Sequence, residues 1–174
     1  MNIFATNSDP ILAAKTLCNK HVIKMCTESR QMLESAFPDH SKAYYSHPAS
    51  IWARSSKENF EWLLTHAIAQ CEEYTRRYKR EHDTQKHIEW VVDNYKHLNF
   101  PKIELTPFAR CFGPFKQMLD ANQPDTLLAY QEFYRLDKIS FAKWPTIDMI
   151  PDWWVEKSEK FVDKNFKDGT YIKR

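Results

Sequence analysis

Glycine is almost absent from this sequence, since only Gly113 and Gly169 occur among its 174 residues. Glycine-rich phosphate loops need several residues without a Cβ close to the phosphate, so P-loop and dinucleotide-binding folds are excluded. No stretch approaches the roughly 18 consecutive apolar residues of a membrane span, and the chain does not begin with a basic region followed by an apolar run. We therefore expect a cytoplasmic protein (in the host cell if the chain is viral) with no membrane partner.

Cysteine pairs of the CxxC type are also missing. The four cysteines, Cys18, Cys26, Cys71 and Cys111, are widely spaced, and three of them fall on apolar positions of predicted helices. We interpret them as reduced thiols that pack as small hydrophobic groups. No set of Cys and His has the spacing of zinc ligands and no HExxH occurs, so we expect neither a metal nor another cofactor.

Charge of one sign is not in excess either, because the formal net charge is only +2. A basic field for nucleic acid would therefore have to be local. What the sequence does contain is 43% apolar and 14% aromatic residues, which is typical of a folded core. The length corresponds to about one domain, so we predict a single domain over residues 1–174.

Helix signals recur along the whole chain. Apolar periods and capping residues predict helices at residues 10–36, 57–78, 83–97 and 124–138, a short one at 115–121, and one that Pro151 opens. Ser55 and Glu58 have the spacing of a capping box in front of the second helix. Residues 39–50 have no period and are predicted as a loop, and residues 1–6 carry the one weak strand signal. We predict an all-α fold of about five helices joined by proline-containing loops.

The first candidate site lies on the first helix. His21, Lys24 and Glu28 follow one another at spacings of three and four, so their head groups can converge on one point. Such a trio could bind an anion through Lys24 and move protons through Glu28 or His21. The alternative is a solvated Lys–Glu helix pair worth a few tenths of a kcal/mol.

A second polar row borders the apolar stripe of the next long helix and consists of Asn59, His66, Glu73 and Arg77. If the two rows face each other, they form a polar cleft between two long helices, where ligand sites are common. Alternatively, Glu73 and Arg77 form a helix pair and His66 is a packed histidine whose hydrogen bonds are satisfied.

Basic and aromatic residues are interleaved at the end of that helix, in RRYKREH at residues 76–82. Basic residues attract phosphates and exposed aromatic rings can stack on bases, although cations also favour a helix C-terminus for its dipole. Trp52 or a tyrosine could stack on an extruded base. We predict as catalytic residues His21, Lys24 and Glu28, and as nucleic-acid-binding residues Arg30, Trp52, Arg54, Asn59, Glu73, Arg77, Lys79 and His82.

The first polar row, His21, Lys24 and Glu28, lies in a sequence pattern that resembles a known family. The chain begins Met-x-Ile, enters a helix and presents His21 with Glu28 seven residues later, a pattern that resembles the phage pyrimidine-dimer DNA glycosylases, which are small all-α repair enzymes. A loop with Pro48 and a long helix closing in Arg77 extend the resemblance over about residues 1–80. The motifs NKHVIKM, HPASIWARS, CEEYTRRYKREH, LTPFA and EFYRLDK also resemble short proteins of tailed phages, which points to a viral origin without indicating an activity.

The glycosylase resemblance implies a base-excision mechanism. In that family the α-amino group of a small N-terminal residue, exposed by removal of Met, attacks the sugar C1′ and forms a Schiff base. A Glu handles protons and a His lies close to the DNA, roles that Glu28 and His21 would take. Residue 2 is Asn2, which is bulkier than the residues after which Met is normally removed, so the amine would belong to Met1.

This sequence departs from the family in a second place. Two basic DNA-contacting positions near the family's Glu fall on Thr27 and Gln31, which leaves Arg30 as the nearby cation. A carboxylate beside basic residues could still activate water at C1′ or serve another nucleotide reaction if burial tunes its pKa.

Three hypotheses remain open. The first is a DNA glycosylase-like hydrolase that acts on a damaged or modified pyrimidine, with Glu28 as central acid or base. The second is a non-enzymatic phage protein that binds DNA or a host factor, and the third is a small nucleotide-processing enzyme that uses the same cleft. In each case we predict DNA, a nucleotide or a host factor as partner, and the oligomeric state stays open.

Overall fold

The computed structural model describes residues 1–40, 42–155, 166–167 and 170–171. The all-α prediction is confirmed. The helices are α1 Pro10–Lys15, α2 Asn19–Glu34, α3 Pro48–Ser55, α4 Lys57–Tyr78, α5 Gln85–Asn94, α6 Lys116–Asn122 and α7 Thr126–Lys138. Short 3-10 turns lie at Tyr95–His97, Gly113–Phe115 and Ile147–Met149, and two-residue strands β1 Phe166–Lys167 and β2 Thr170–Tyr171 pair antiparallel. Residues 152–155 are helical, and the rest of the helix predicted after Pro151 lies outside the described residues.

The first predicted helix is in fact two, because α1 ends at Lys15 and α2 begins at Asn19. The break is held by partners from the other end of the chain. The Cys18 amide donates to the Tyr134 hydroxyl (3.0 Å), and the Asn19 amide donates to the Lys143 carbonyl (2.8 Å). The prediction of one helix over 10–36 was wrong, since these amides take tertiary partners instead of continuing the helical ladder.

The region before α4 also differs from the prediction. Pro48 opens α3 where a loop was expected, and the imidazole of His47 caps it by accepting from the Ala49 amide at 3.2 Å. The capping box was wrong, because α4 starts after Ser56 and the Glu58 carboxylate accepts from the Leu105 amide at 2.9 Å. The Glu58 carboxylate therefore binds a distant loop residue, although the local sequence pattern predicted that it would cap the helix.

The long helix α4 is the centre of the fold and packs against α1, α2, α3 and α5. Leu63 and Ala67 in its apolar stripe have no exposed surface, as expected for the core face of an amphipathic helix, while Ile68 at the edge of the stripe is 36% exposed. Within the described residues no helix is long and apolar enough to cross a lipid bilayer.

Residues 1–6 form no strand but an irregular segment buried in the core, where Ile3 and Ala5 have no exposed surface. Phe4 stacks on His21 of α2 and contacts Tyr134 of α7, so the segment lies between these two helices. The beginning of the chain is therefore an interior part of the fold, next to the predicted first row.

Candidate active site

A pocket of about 450 Å³ opens at the buried N-terminal segment, and we call it the N-terminal pocket. Its walls come from residues 1–4, α2, the start of α3, the loop at residues 110–116 and the end of α7. The lining residues are Met1, Asn2, Phe4, His21, Lys24, Met25, Glu28, His47, Pro48, Arg110, Cys111, Phe112, Gly113, Pro114, Lys116, Phe133, Asp137 and Lys138. The three residues predicted as catalytic, His21, Lys24 and Glu28, are thus brought together in one concave site.

The carboxylate of Glu28 is the polar centre of this pocket. Its Oε2 accepts a hydrogen bond from the Asn2 amide at 3.0 Å and lies 3.6 Å from the α-amino nitrogen of Met1. Its Oε1 lies 3.0 Å from Nζ of Lys24. The Glu28 side chain is 12% exposed, so the carboxylate is nearly buried and is held by charge-assisted contacts. An acid or base beside an amine is thereby built into the site.

The first two residues are fixed in place next to Glu28. The Asn2 side chain donates from Nδ2 to the Cys111 carbonyl (2.6 Å) and accepts at Oδ1 from the Phe4 amide (2.9 Å). The Met1 side chain is 1% exposed, and its Sδ accepts from the Ser50 hydroxyl at 3.6 Å. Phe4 has a φ of 41°, a left-handed conformation that is costly for a residue with a side chain. The contacts of the Asn2 and Met1 side chains therefore hold in place the backbone that carries the α-amino group.

His21 lies in an aromatic cluster rather than at the surface. Its ring stacks on Phe4 at a centroid distance of 4.7 Å and meets Tyr134 and Phe141 edge-on. Burial, together with the smaller effects of the Lys138 and Lys24 charges, lowers the pKa of His21 to about 3. His21 is consequently neutral near pH 7, and its Nδ1 has no hydrogen-bond partner within the described residues.

His47 is a second imidazole in the pocket, and the sequence did not single it out. Burial and the nearby α-amino charge lower its pKa, against the opposing effect of Glu28. Its Nδ1 is used as the cap of α3. Since both histidines are neutral at neutral pH, the pocket's charge comes from other groups. Five cationic groups, one of them the α-amine, line it with two carboxylates. Arg110 and Lys116 also bind Asp120, which lies outside the lining, and the positive excess that remains favours an anionic ligand.

The second polar row does not reach the N-terminal pocket. Glu73 binds Arg76 and Arg77 at 2.6 and 2.7 Å, and Arg77 also donates to Asn19 at the start of α2. The His66 Nδ1 lies 2.8 Å from the Pro10 carbonyl oxygen. Asn59 bonds to the Trp52 carbonyl and, through both ends of its amide, to Thr106. The two rows therefore do not form one cleft at this pocket, because these side chains join helices and loops inside the protein.

Other residues predicted to bind nucleic acid also have structural contacts. Trp52 is 5% exposed and packs against Trp62 and Phe108, so it presents no free face for a base. Arg54 donates to the Ser35 hydroxyl and the Tyr45 carbonyl and covers the Tyr45 ring. These contacts attach α3 to the preceding loop.

The remaining predicted residues lie around the far end of α4 and on α2. Lys79 is exposed and forms the left-handed cap of α4, while His82 lies 3.0 Å from the Ile23 carbonyl oxygen. Arg30 pairs with Glu34 and approaches the His87 ring. All three lie outside the lining of the N-terminal pocket, and whether they contact DNA stays a prediction.

Half of the pocket lining comes from residues after position 109, which sequence reasoning missed. Two local signals were available in the sequence: Gly113 is one of only two glycines, and it directly precedes Pro114. In the structure Gly113 adopts a φ of 50°. Neither signal shows that the loop folds against the N-terminus. The structure describes no group of three metal-ligating side chains.

Together, the helical fold and the paired amine and carboxylate define a protein with a site suited to imine chemistry on an anionic substrate. The family model of pyrimidine dimer DNA glycosylase matches residues 1–98, which is more than half of the chain. This chain belongs to the pyrimidine dimer DNA glycosylase family. Searches among curated proteins and among solved structures found no significant match.

The buried histidines predict acid-sensitive folding. The pKa values of His21 and His66 are about 3 and 4, below the ordinary 6.5 that the unfolded chain has. At pH values between the native and the unfolded pKa, each histidine is protonated in the unfolded state but not in the native state. Their contribution to the free energy of unfolding is therefore highest above pH 6.5 and decreases as pH falls. The loss begins near pH 7 and approaches about 1.4 kcal/mol per pH unit for each histidine near pH 5, where the unfolded histidine is almost fully protonated.

Urea unfolding between pH 7.5 and 5 measures this loss. His21→Phe should reduce the slope near pH 5 by about one proton, since a neutral ring fits the aromatic cluster. Equal stability of the wild type at pH 7.5 and 5 would contradict the assignment.

Proposed function

We propose that this protein is a DNA glycosylase that excises a damaged pyrimidine, with Glu28 as the group that transfers protons and the α-amino group as the nucleophile. The observation that carries the proposal is the position of Glu28 Oε2, 3.0 Å from the Asn2 nitrogen and 3.6 Å from the Met1 nitrogen. Membership of the pyrimidine dimer DNA glycosylase family supports it independently.

The contacts suit a stepwise excision. Glu28 accepts a proton from the α-ammonium group, and the free amine then attacks C1′ of the deoxyribose. A C–N bond forms at C1′, the bond from C1′ to the base breaks, and its electron pair leaves with the base. The nitrogen then carries two protons and loses one to solvent. The C1′–O4′ bond breaks as the sugar ring opens, O4′ gains the proton held by Glu28, and a protonated imine joins C1′ to the protein.

The position of the amine does not depend on how the chain is processed. If Met1 is present, its amine lies beside Glu28, and if Met1 is removed, the Asn2 nitrogen becomes the α-amine at a still shorter distance. Lys24 neutralises the other carboxylate oxygen, and the excess of cationic groups around the pocket favours the DNA backbone. The bulky Asn2 is therefore compatible with the proposed chemistry.

The direct test incubates purified protein with duplexes that contain one cyclobutane pyrimidine dimer, one uracil, one modified pyrimidine or no lesion. On the dimer duplex we expect cleavage of one glycosidic bond, with the freed base still joined to its neighbour through the cyclobutane ring, followed by strand cleavage, and a borohydride-stable protein–DNA adduct. Tight, salt-dependent binding without product would support the non-enzymatic DNA-binding alternative instead. Thermal stabilisation by free nucleotides, without action on any duplex, would support the nucleotide enzyme.

A further inference from the structure

We propose that Lys138, in the part of the chain beyond the family match, is a catalytic residue that stabilises the departing base. This inference rests on the proposed glycosylase function and adds to it a residue that stabilises the leaving group. Lys138 ends α7 and lines the N-terminal pocket together with Glu28. It comes from a segment that the 98-residue family match does not include.

The surroundings of the Lys138 ammonium group are unusual for a lysine. Its side chain is only 15% exposed, and Nζ lies 5.5, 5.7 and 5.8 Å from the ring centroids of Phe4, Phe133 and Phe141. Lysines are among the residues that are rarely buried without a reason. The adjacent Asp137 carboxylate binds Nζ and also lines the pocket.

The position of Lys138 relative to the reacting groups supports the same role. Its charge acts on His21, whose ring stacks on Phe4 in the pocket wall. Phe4 and Phe133 are nearly buried and stack on each other, and Phe4 also stacks on His21, so they form a closed apolar wall of the pocket. A pyrimidine inserted along this wall would place its ring within reach of a cation, while Glu28 and the amine act on the sugar.

The chemistry requires such a cation. When the bond from C1′ to N1 breaks, its electron pair moves into the pyrimidine and negative charge develops on the ring carbonyl oxygens. The Lys138 ammonium group donates a hydrogen bond to one of these oxygens, and the departing base then takes up a proton from water. Donors of this kind, aimed at developing charge in a pocket that excludes water, typically change rates by about 10²-fold.

Lys138→Met tests the proposal because it keeps the aliphatic chain and removes the charge. Single-turnover rates are measured on a dimer duplex and on the same duplex carrying a preformed abasic site, which has no base to lose. We expect excision to fall about 10²-fold, and borohydride trapping on abasic DNA to stay within about threefold. Lys138→Arg, which keeps a cation, should retain most of the excision and serves as the second variant if the methionine variant does not fold.

Lys20→Met is the matched control, because the Lys20 ammonium lies 4.8 Å from the same Phe141 ring but outside the pocket lining. It should leave both rates unchanged. Equal losses on the two substrates for Lys138→Met, or no loss on either, would overturn the role of Lys138 and leave the glycosylase intact. A wild type that neither excises nor traps would overturn the proposed function, and this inference with it.

Discussion

Glu28→Gln is expected to reduce excision of a pyrimidine dimer by about 10³-fold, within the range that a positioned acid or base contributes. Glutamine has nearly the same shape and can still accept a hydrogen bond from the Asn2 amide. It cannot take a proton from the α-ammonium group or return one to O4′. The loss should therefore appear in the single-turnover rate, while binding of the dimer duplex changes little.

Glu34→Gln provides a matched control for this prediction. Glu34 lies on the same helix and is also nearly buried, but it pairs with Arg30 and His87 away from the pocket. We expect full excision by this variant once thermal unfolding shows that it is folded. Unchanged activity in Glu28→Gln would refute the central role of the carboxylate, as would an equal loss in a folded Glu34→Gln protein.

The second large effect is expected from blocking the α-amino group. A chain that carries a Gly-Ser extension before Met1 should form no borohydride-stable adduct and should lose detectable dimer excision. An amide nitrogen is not a nucleophile, and the extension places the new α-amine two residues away from the position 3.6 Å from Glu28. The measurement is adduct formation on gels and excision under single-turnover conditions.

The same fusion, cut by a protease that leaves Met1 as the first residue, is the control and should recover both signals. Intact-mass spectrometry establishes which residue carries the free amine in each preparation. Peptide mapping of the adduct should then place the reduced imine on that residue. Adducts that map to Lys24 or Lys138, or an extended chain with full activity, would show that another amine is the nucleophile.

Helix content and the first row were predictable because both depend on local spacing. The three-and-four repeat that predicted α4 is set by the geometry of one helix, and α4 is found where it was expected. His21, Lys24 and Glu28 share a face for the same reason, and all three line the pocket. The family resemblance over about residues 1–80 is confirmed by the match to residues 1–98.

The second row shows where local spacing fails. Glu73 and Arg77 have the same residue types as an active site, but in the structure they form a nearly buried ion pair that joins α4 to the start of α2. Spacing reports that side chains share a face and cannot report what covers that face. Trp52 is buried in the structure, and its spacing could not show this, since an aromatic residue suited to stacking on a base is equally suited to a core.

By itself, the sequence determined an all-helical chain and the alignment of a histidine, a lysine and a carboxylate along one helix, because these follow from periodicity within a single element. The tertiary structure decided that the chain's first residues are buried beside Glu28 and that Arg110, Lys116 and Lys138 complete the pocket. The bond from Asn2 to Cys111 joins residues 109 positions apart. Such contacts depend on how whole elements pack, and no local pattern encodes them.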